Sequence, residues 1–273
     1  MYHYVRDLKN SRYPEIKGLD TGLFRQQLQW LQQTHTLISV PDLIEALYEG
    51  RELPKNAALL TFDDAYSDHY TNVFPLLDEY GIQGAFFPPV KAIMEHEVLD
   101  VNKIHFILAS TKIEELLPRV YDELAKYRQE YGLEGDEYYY QKLAKPSRFD
   151  PPEVIFVKRL LQVELGEEVR NKIVDNLFSM FVSQDEAAFS RELYMNEEQM
   201  RCMVRHGMTI GSHGYDHYWQ DSLSPKKQEQ EIDKSIEFLK RIGVDMENWV
   251  MCYPYGAWND SLEIGRASCR ERV

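Results

Sequence analysis

Short apolar runs alternate with stretches of helical apolar spacing at both ends of the chain. MYHYV, residues 1–5, alternates β-forming residues and predicts a strand. Leu23, Phe24, Leu28 and Leu31 recur at helical spacing and predict a helix over 21–33, with a second over 42–48. Ala57–Phe62 is continuously apolar, as suits a strand buried on both faces. Residues 71–80 read as a helix stopped by Gly81, and QGAFF as another buried strand. The alternation resumes near Asn196, where Asn196 and Gln199 form a loose capping box for a helix that ends at Gly207. A strand, MTIG, follows. Ser224-Pro225 opens the next helix, with Ile232, Ile236 and Leu239 on one face, and Gly243 closes it. WVMCYPYG reads as a strand running into a turn.

Repeated strand–helix alternation predicts an α/β fold with a parallel sheet, either doubly wound or closed as a barrel. Residues 99–194 differ. They are charged and helically spaced, with Leu116, Val120 and Leu124, then Val169, Ile173 and Leu177, and a break at KPSRFDPPE. This region reads as a helical insertion between two barrel segments, 1–98 and 195–263. It is expected to cap the active-site face and to set substrate size. The final stretch, EIGRASCRERV, lacks apolar periodicity and resembles a translated sequencing adapter. The natural chain is therefore expected to break off near Glu263, which leaves 264–273, with Cys269, non-native.

Composition narrows the classes. A formal net charge of −14 over 273 residues argues against nucleic acid or an anionic membrane as the main partner. No apolar run approaches the roughly 20 residues of a membrane span, and no signal peptide opens the chain. As it stands the sequence reads as cytoplasmic, or as extracytoplasmic if its native start lies upstream. Cys202, Cys252 and Cys269 show no paired spacing, so neither a disulfide framework nor a cysteine zinc site is indicated.

Three clusters fall where predicted strands end: Asp63-Asp64, His213-Gly-Tyr-Asp-His217 and Tyr253-Pro-Tyr-Gly256. Parallel α/β folds build their sites at that edge. Two histidines and a carboxylate suit a hydrolytic metal ion, and a second carboxylate off the metal suits a general base. Each cluster alone has an ordinary reading as a turn or as surface histidines. Asp68 and His69 are expected to face solvent on the helix after the aspartates. Tyr66, Tyr215, Tyr218, Trp219 and Trp258 could stack on sugar faces or pack in the core; Tyr66, Tyr215 and Trp258 are the substrate candidates.

Taken in order, TFDDAY, the SHGYDH histidines and YPYG resemble the leading motifs of the polysaccharide deacetylase family, the NodB-like carbohydrate esterases. The resemblance covers roughly 1–98 and 195–262. It implies a distorted (β/α) barrel, here incomplete at its C-terminus, that removes an acetyl group from a sugar or glycan. By the same resemblance Asp63 is the general base, and Asp64, His213 and His217 bind a divalent metal. Zinc comes first by ligand type, with cobalt, nickel or iron also suited. Tyr255 would hold the oxyanion through its backbone N–H.

Three departures stand out. Ala65 replaces the glycine of TFDDG, so the turn there is expected to tolerate a Cβ. Cys252 stands where many members carry the arginine that orients the base. The downstream general-acid histidine of many members has no counterpart. A circularly permuted subgroup, typified by poly-N-acetylglucosamine deacetylases, places that histidine ahead of the aspartates. MYHYV fits the pattern and makes His3 the candidate acid. Alternatives remain: a cyclic-imide or other C–N hydrolase on the same barrel, or a non-catalytic glycan-binding barrel with a structural metal. Asp63 speaks against the last, since a binding module needs no second carboxylate.

Overall fold

The computed structural model describes residues 1–262, so the tail expected to be non-native lies outside the described residues. At the centre are three parallel strands, Thr61–Asp63, Ala85–Phe87 and Thr209–Ile210, with Ala85–Phe87 in the middle. Isolated parallel bridges extend this sheet on both sides, Tyr2 to Phe62 and Ser212 to Met251. Two further parallel pairs join Val5–Arg6 to Leu19–Asp20 and Thr36–Leu37 to Ala57–Ala58. Every strand pair among the described residues is parallel. Such pairing requires crossover connections, and helices supply them.

The apolar run at 57–62 is not one strand. Ala57–Ala58 pairs with Thr36–Leu37, whereas Thr61–Asp63 pairs with Ala85–Phe87, so the chain changes neighbour between them. MYHYV likewise divides into a bridge at Tyr2 and a strand at Val5–Arg6. The bridge is firm. Tyr2 N–H donates to the Thr61 carbonyl and Asp63 N–H to the Tyr2 carbonyl, which fixes His3 beside the end of the aspartate strand.

Aromatic rings cement this register. Phe62 stacks on Phe86 at 4.7 Å and on Tyr2 at 5.3 Å, and Phe24 packs edge-on against both Tyr2 and Phe62. The helix Thr21–Thr34 supplies Phe24 and Leu28, both fully buried, and Asp20 caps it by accepting from Gly22 N–H. Helix ends follow the sequence signals elsewhere too. Asn196 and Gln199 form a capping box on Glu197–Arg205, and Gly243, in the left-handed region, closes Pro225–Ile242.

The chain divides into two compact units, residues 1–7, 18–97 and 190 onward in one, residues 8–17 and 98–189 in the other. The second unit is helical, and its core is built from the spaced residues Leu116, Val120, Leu124, Val169, Ile173 and Leu177, all buried. Tyr13 brings residues 8–17 into it by packing edge-on against Phe106 and Phe189. Lys103, itself buried, is held between Asp175 and Glu186. Among the described residues no helix is long and apolar enough to cross a membrane.

One glycine is dictated by close approach. A Cβ on Gly211 would lie 2.6 Å from the Phe87 ring and 2.7 Å from the Val250 carbonyl oxygen, where the histidine-bearing segment is squeezed between its neighbours. Gly211→Ala is expected to destabilise the fold by about 1–3 kcal/mol, as overpacking does. Chemical denaturation checks this; an unchanged midpoint would show that the segment has room to shift.

Candidate active site

The aspartate strand ends at Asp63, and Asp64 N–H makes one more sheet bond, to the Phe87 carbonyl. The backbone then turns left-handed at Asp64 (φ 72°) and at Ala65 (φ 53°). The break interrupts the alternation of side chains between the two faces of the strand, and both carboxylates are buried, at 3% and 4% exposure. The turn does accommodate a Cβ at position 65, but in a left-handed conformation. The turn keeps a glycine-type conformation, and alanine occupies it at a cost of about 1–2 kcal/mol. Ala65 is fully buried and its carbonyl accepts from Met195 N–H, which holds the strained residue in place.

The histidine loop is built on the helix Pro225–Ile242. Its buried Ser235 accepts from the Ser212 hydroxyl, and its buried Glu231 accepts from the N–H groups of Tyr215 and Asp216. Burial, with the charge of Asp216 nearby, raises Glu231 to about 6. The loop brings the side chains of His213 and His217 to Asp64, so that one ligand atom from each of the three lies within 4.8 Å of the others. His217 Nε2 is 3.3 Å and His213 Nε2 3.7 Å from Asp64 Oδ1.

This trio fits a divalent metal on two independent grounds. Asp64 Oδ1 is buried with no hydrogen-bond partner, an expensive condition for a carboxylate oxygen unless a cation satisfies it. His213 Nδ1 lies 2.7 Å from the Cys252 carbonyl, which fixes Nδ1 as the protonated nitrogen and leaves the Nε2 lone pair facing Asp64. Burial, then the neighbouring His217, pushes His213 down to about 4, so it is neutral at pH 7. Burial alone would raise Asp64, but the close approach of His217 and the nearness of both histidines hold it well below the usual carboxylate range. Its other oxygen, Oδ2, accepts from the Tyr66 hydroxyl at 2.6 Å.

Asp63 has a different environment. Its Oδ1 has no partner, and the Cys252 thiol approaches Oδ2 at 3.8 Å, a loose contact where the resemblance leads one to look for arginine. Burial and the adjacent Asp64 charge raise its pKa, while His3 and the thiol pull it back. Burial and the same carboxylate push the Cys252 thiol up to about 12, so it remains a protonated donor. His3 is exposed beside this pair, close enough to act electrostatically on Asp63, Asp64 and His213.

The aromatic candidates separate. Tyr66 is no surface ring: it is fully buried, stacked on Tyr4 at 4.0 Å and on Tyr194 at 6.1 Å, and its hydroxyl serves Asp64. Tyr215 is half-buried, with its hydroxyl on Glu95 and the Lys234 ammonium over its ring. Trp258 is exposed. Tyr255, left-handed at φ 59°, packs edge-on against His217 at 4.9 Å and face-to-face on Trp219 at 4.4 Å.

Asp68 and His69 do not face solvent, contrary to the sequence expectation. The segment His69–Val73 is a π-helical turn leading into the helix Phe74–Glu79, which turns His69 inward until it is fully buried. Pro75 has no N–H to offer the Thr71 carbonyl, which favours the wider turn. His69 Nε2 meets the His3 carbonyl at 2.8 Å, Asn72 donates to the Val5 carbonyl and Arg6 pairs with Asp68. These residues anchor the segment that carries His3. Sequence reasoning missed them, and it also missed Glu231. Glu231 leaves a trace, however: with Gln228 and Ser235 it forms a polar row at helical spacing next to the apolar face of its helix.

The described residues thus form a helix-rich α/β fold in which Asp64, His213 and His217, at the end of a parallel sheet, form a group that could hold a metal ion. The family model described as polysaccharide deacetylase matches residues 50–131 and 176–268. The chain belongs to the polysaccharide deacetylase family. It is 35% identical over 81 residues to the poly-beta-1,6-N-acetyl-D-glucosamine N-deacetylase of Escherichia coli K12, covering 29% of this chain and 12% of that protein. It is 31% identical over 94 residues to the putative polysaccharide deacetylase YxkH of Bacillus subtilis, covering 34% of this chain and 32% of that one. The matches thus span well under half the length of these curated relatives. Its fold is that of the Streptococcus pyogenes deacetylase PplD (TM-score 0.55, 16% identity, covering 100% of this chain and 80% of that one). It is also that of IcaB from Ammonifex degensii (TM-score 0.53, 18% identity, covering 98% and 78%).

Removing the Tyr66 hydroxyl would leave Asp64 Oδ2 without its donor. Tyr66→Phe is expected to weaken divalent-metal binding about 10–100-fold, the usual cost of losing such an outer partner. Calorimetric titration of zinc reads this; unchanged affinity would mean that Asp64 is oriented without Tyr66.

Proposed function

We propose that the chain hydrolyses the N-acetyl group of an acetamido sugar or glycan, on a distorted (β/α) barrel formed by 1–98 and 195–263 with 99–194 inserted. The observation that carries this reading is the pairing of two buried adjacent carboxylates with unlike surroundings, Asp64 among histidines and Asp63 beside them. Family membership and the N-deacetylase activity for which the E. coli relative is named support the sugar amide as substrate.

Asp64, His213 and His217 would hold the divalent ion, most simply zinc given one oxygen and two nitrogen ligands. When bound, such an ion acidifies water and polarises the acetyl carbonyl. Asp63, whose Oδ1 lacks a partner, takes the proton from the attacking water as its oxygen bonds to the acetyl carbon. The Tyr255 N–H donates to the oxyanion that develops on the acetyl oxygen. As the C–N bond breaks, His3 delivers a proton to the sugar nitrogen, leaving acetate and a free amine. Asp63 suits its part because its pKa is raised, which makes it the better proton acceptor; Asp64 suits the other because it stays ionised.

Acetate release from N-acetylglucosamine and its oligomers, lost on chelation and restored by zinc, tests the function. No acetate from any acetamido sugar under reloaded conditions would overturn it. His3→Ala separates the roles further. Turnover is expected to fall about 10²–10⁴-fold, the usual contribution of a positioned acid. Because the His3 charge lowers the Asp63 pKa, its removal raises that pKa, and the acidic limb of the kcat/KM profile moves to higher pH. Near-normal turnover with an unmoved limb would remove His3 from the mechanism.

A further inference from the structure

The buried ring of His69 is left over from the chemistry. It is fully enclosed, with the rings of Phe62 at 5.6 Å, Tyr66 at 5.5 Å and Phe86 at 5.8 Å around it. Its Nε2 lies 2.8 Å from the His3 carbonyl, whereas its Nδ1 is buried with no partner. A carbonyl only accepts, so Nε2 carries the hydrogen and Nδ1 an unused lone pair. Burial pushes the ring down to about 4, which keeps it neutral and leaves it this single donor at pH 7. A buried nitrogen without a partner costs stability that an apolar side chain in the same aromatic pocket would not. Packing therefore does not account for a histidine here; its hydrogen bond does.

That bond falls on the residue proposed as the acid. The residues on either side of His3 are tied to neighbouring strands. Tyr2 N–H donates to the Thr61 carbonyl, the Tyr2 carbonyl accepts from Asp63 N–H, and the Tyr4 carbonyl accepts from Leu19 N–H. His3 itself is exposed, so its ring takes its direction from the backbone more than from packing. The orientation of the His3 carbonyl defines that backbone, and His69 holds it. The same turn grips the residues that follow, with Asn72 donating to the Val5 carbonyl and Asp68 pairing with Arg6. Three polar contacts thus run from residues 68–72 to residues 3–6, and the one from His69 meets the acid.

We infer that His69 is a positioning residue for His3, holding the acid in register with the scissile bond and so giving the site its preference for amides over activated esters. This rests on the sugar-deacetylase reading with His3 as acid, and adds the residue that aims it. With either substrate, water gives a proton to Asp63 and its oxygen to the acetyl carbon. When the amide then breaks, the electron pair of the C–N bond stays on nitrogen, which takes a proton from His3 and leaves as an amine. When a nitrophenyl ester breaks, the pair stays on the phenolate oxygen, a stable anion that needs no proton. A displaced acid therefore slows the amide and spares the ester.

Turnover of an N-acetylglucosamine oligomer and of para-nitrophenyl acetate tests this on zinc-loaded wild type, His69→Leu, His69→Asn, His69→Gln, His3→Ala and the His3→Ala/His69→Leu double variant. Thermal melts and zinc titration show which are folded and loaded. The Gln amide reaches the position of Nε2 and can donate in its place. Leu has no donor, and the Asn amide matches Nδ1 and stops short; either one, folded, suffices. Both are expected to lower the amide-to-ester rate ratio about tenfold or more, and His69→Gln to recover most of it. In the His3→Ala background His69→Leu is expected to change the ratio little, because the residue it acts through is gone. Amide and ester falling together, or the same drop in ratio with and without His3, overturns the positioning role. Acetate from the amide in wild type, with a ratio unmoved by His69→Leu or His69→Asn, sinks this inference alone. No amide turnover in wild type sinks the deacetylase reading itself and takes the inference with it.

Discussion

Successive side chains of a regular strand point to opposite faces, so two neighbouring carboxylates at its end cannot both be turned toward one site. The chain meets that constraint with a left-handed turn at Asp64 and Ala65, and much of the site depends on it. The turn aims Asp64 at the histidine loop and leaves Asp63 beside Cys252 and His3. Adjacent in sequence, the two acids are driven apart in acidity, one held low by histidines and one held high by burial and by its neighbour's charge. That separation is what general acid–base chemistry at neutral pH requires.

The same device recurs around the site. Six non-glycine residues among those described have positive φ, and four of them, Asp64, Ala65, His217 and Tyr255, lie in the three loops that converge here. Conformational strain of this sort lasts only where surroundings over-determine it. Here those surroundings are visible: Met195 N–H on the Ala65 carbonyl, Glu231 and Ser235 under the histidine loop, and the His213 ring bonded to the Cys252 carbonyl. Three separate stretches of chain are thus tied together by polar contacts below the reacting groups, while the aromatic stack of Tyr2, Phe62 and Phe86 fixes the sheet beneath.

Much of this was legible in the sequence. Helix limits carry local chemistry, so Asn196, Gly207 and Gly243 marked them correctly, and the four-residue spacing of Leu116, Val120 and Leu124 identified a buried face. Asp64, His213 and His217 were named together by the resemblance of their motifs to those of the family, and the fold does bring them within reach of one another. What stayed hidden depends on distant partners. An apolar run such as Ala57–Phe62 cannot reveal that its two halves pair with different strands. Nor can local pattern show that His69 turns inward on a π-helical turn, or that Tyr66 is buried against Tyr4 and Tyr194. Nor does an alanine at position 65 reveal that the turn there is left-handed.

The division of labour between the two aspartates is tested most directly by replacing each with its amide and measuring zinc affinity and acetate release on the same preparations. Asp63→Asn is expected to retain zinc affinity near that of wild type while losing acetate release, and Asp64→Asn to lose both. Retained acetate release in Asp63→Asn, or wild-type zinc affinity in Asp64→Asn, would contradict the account.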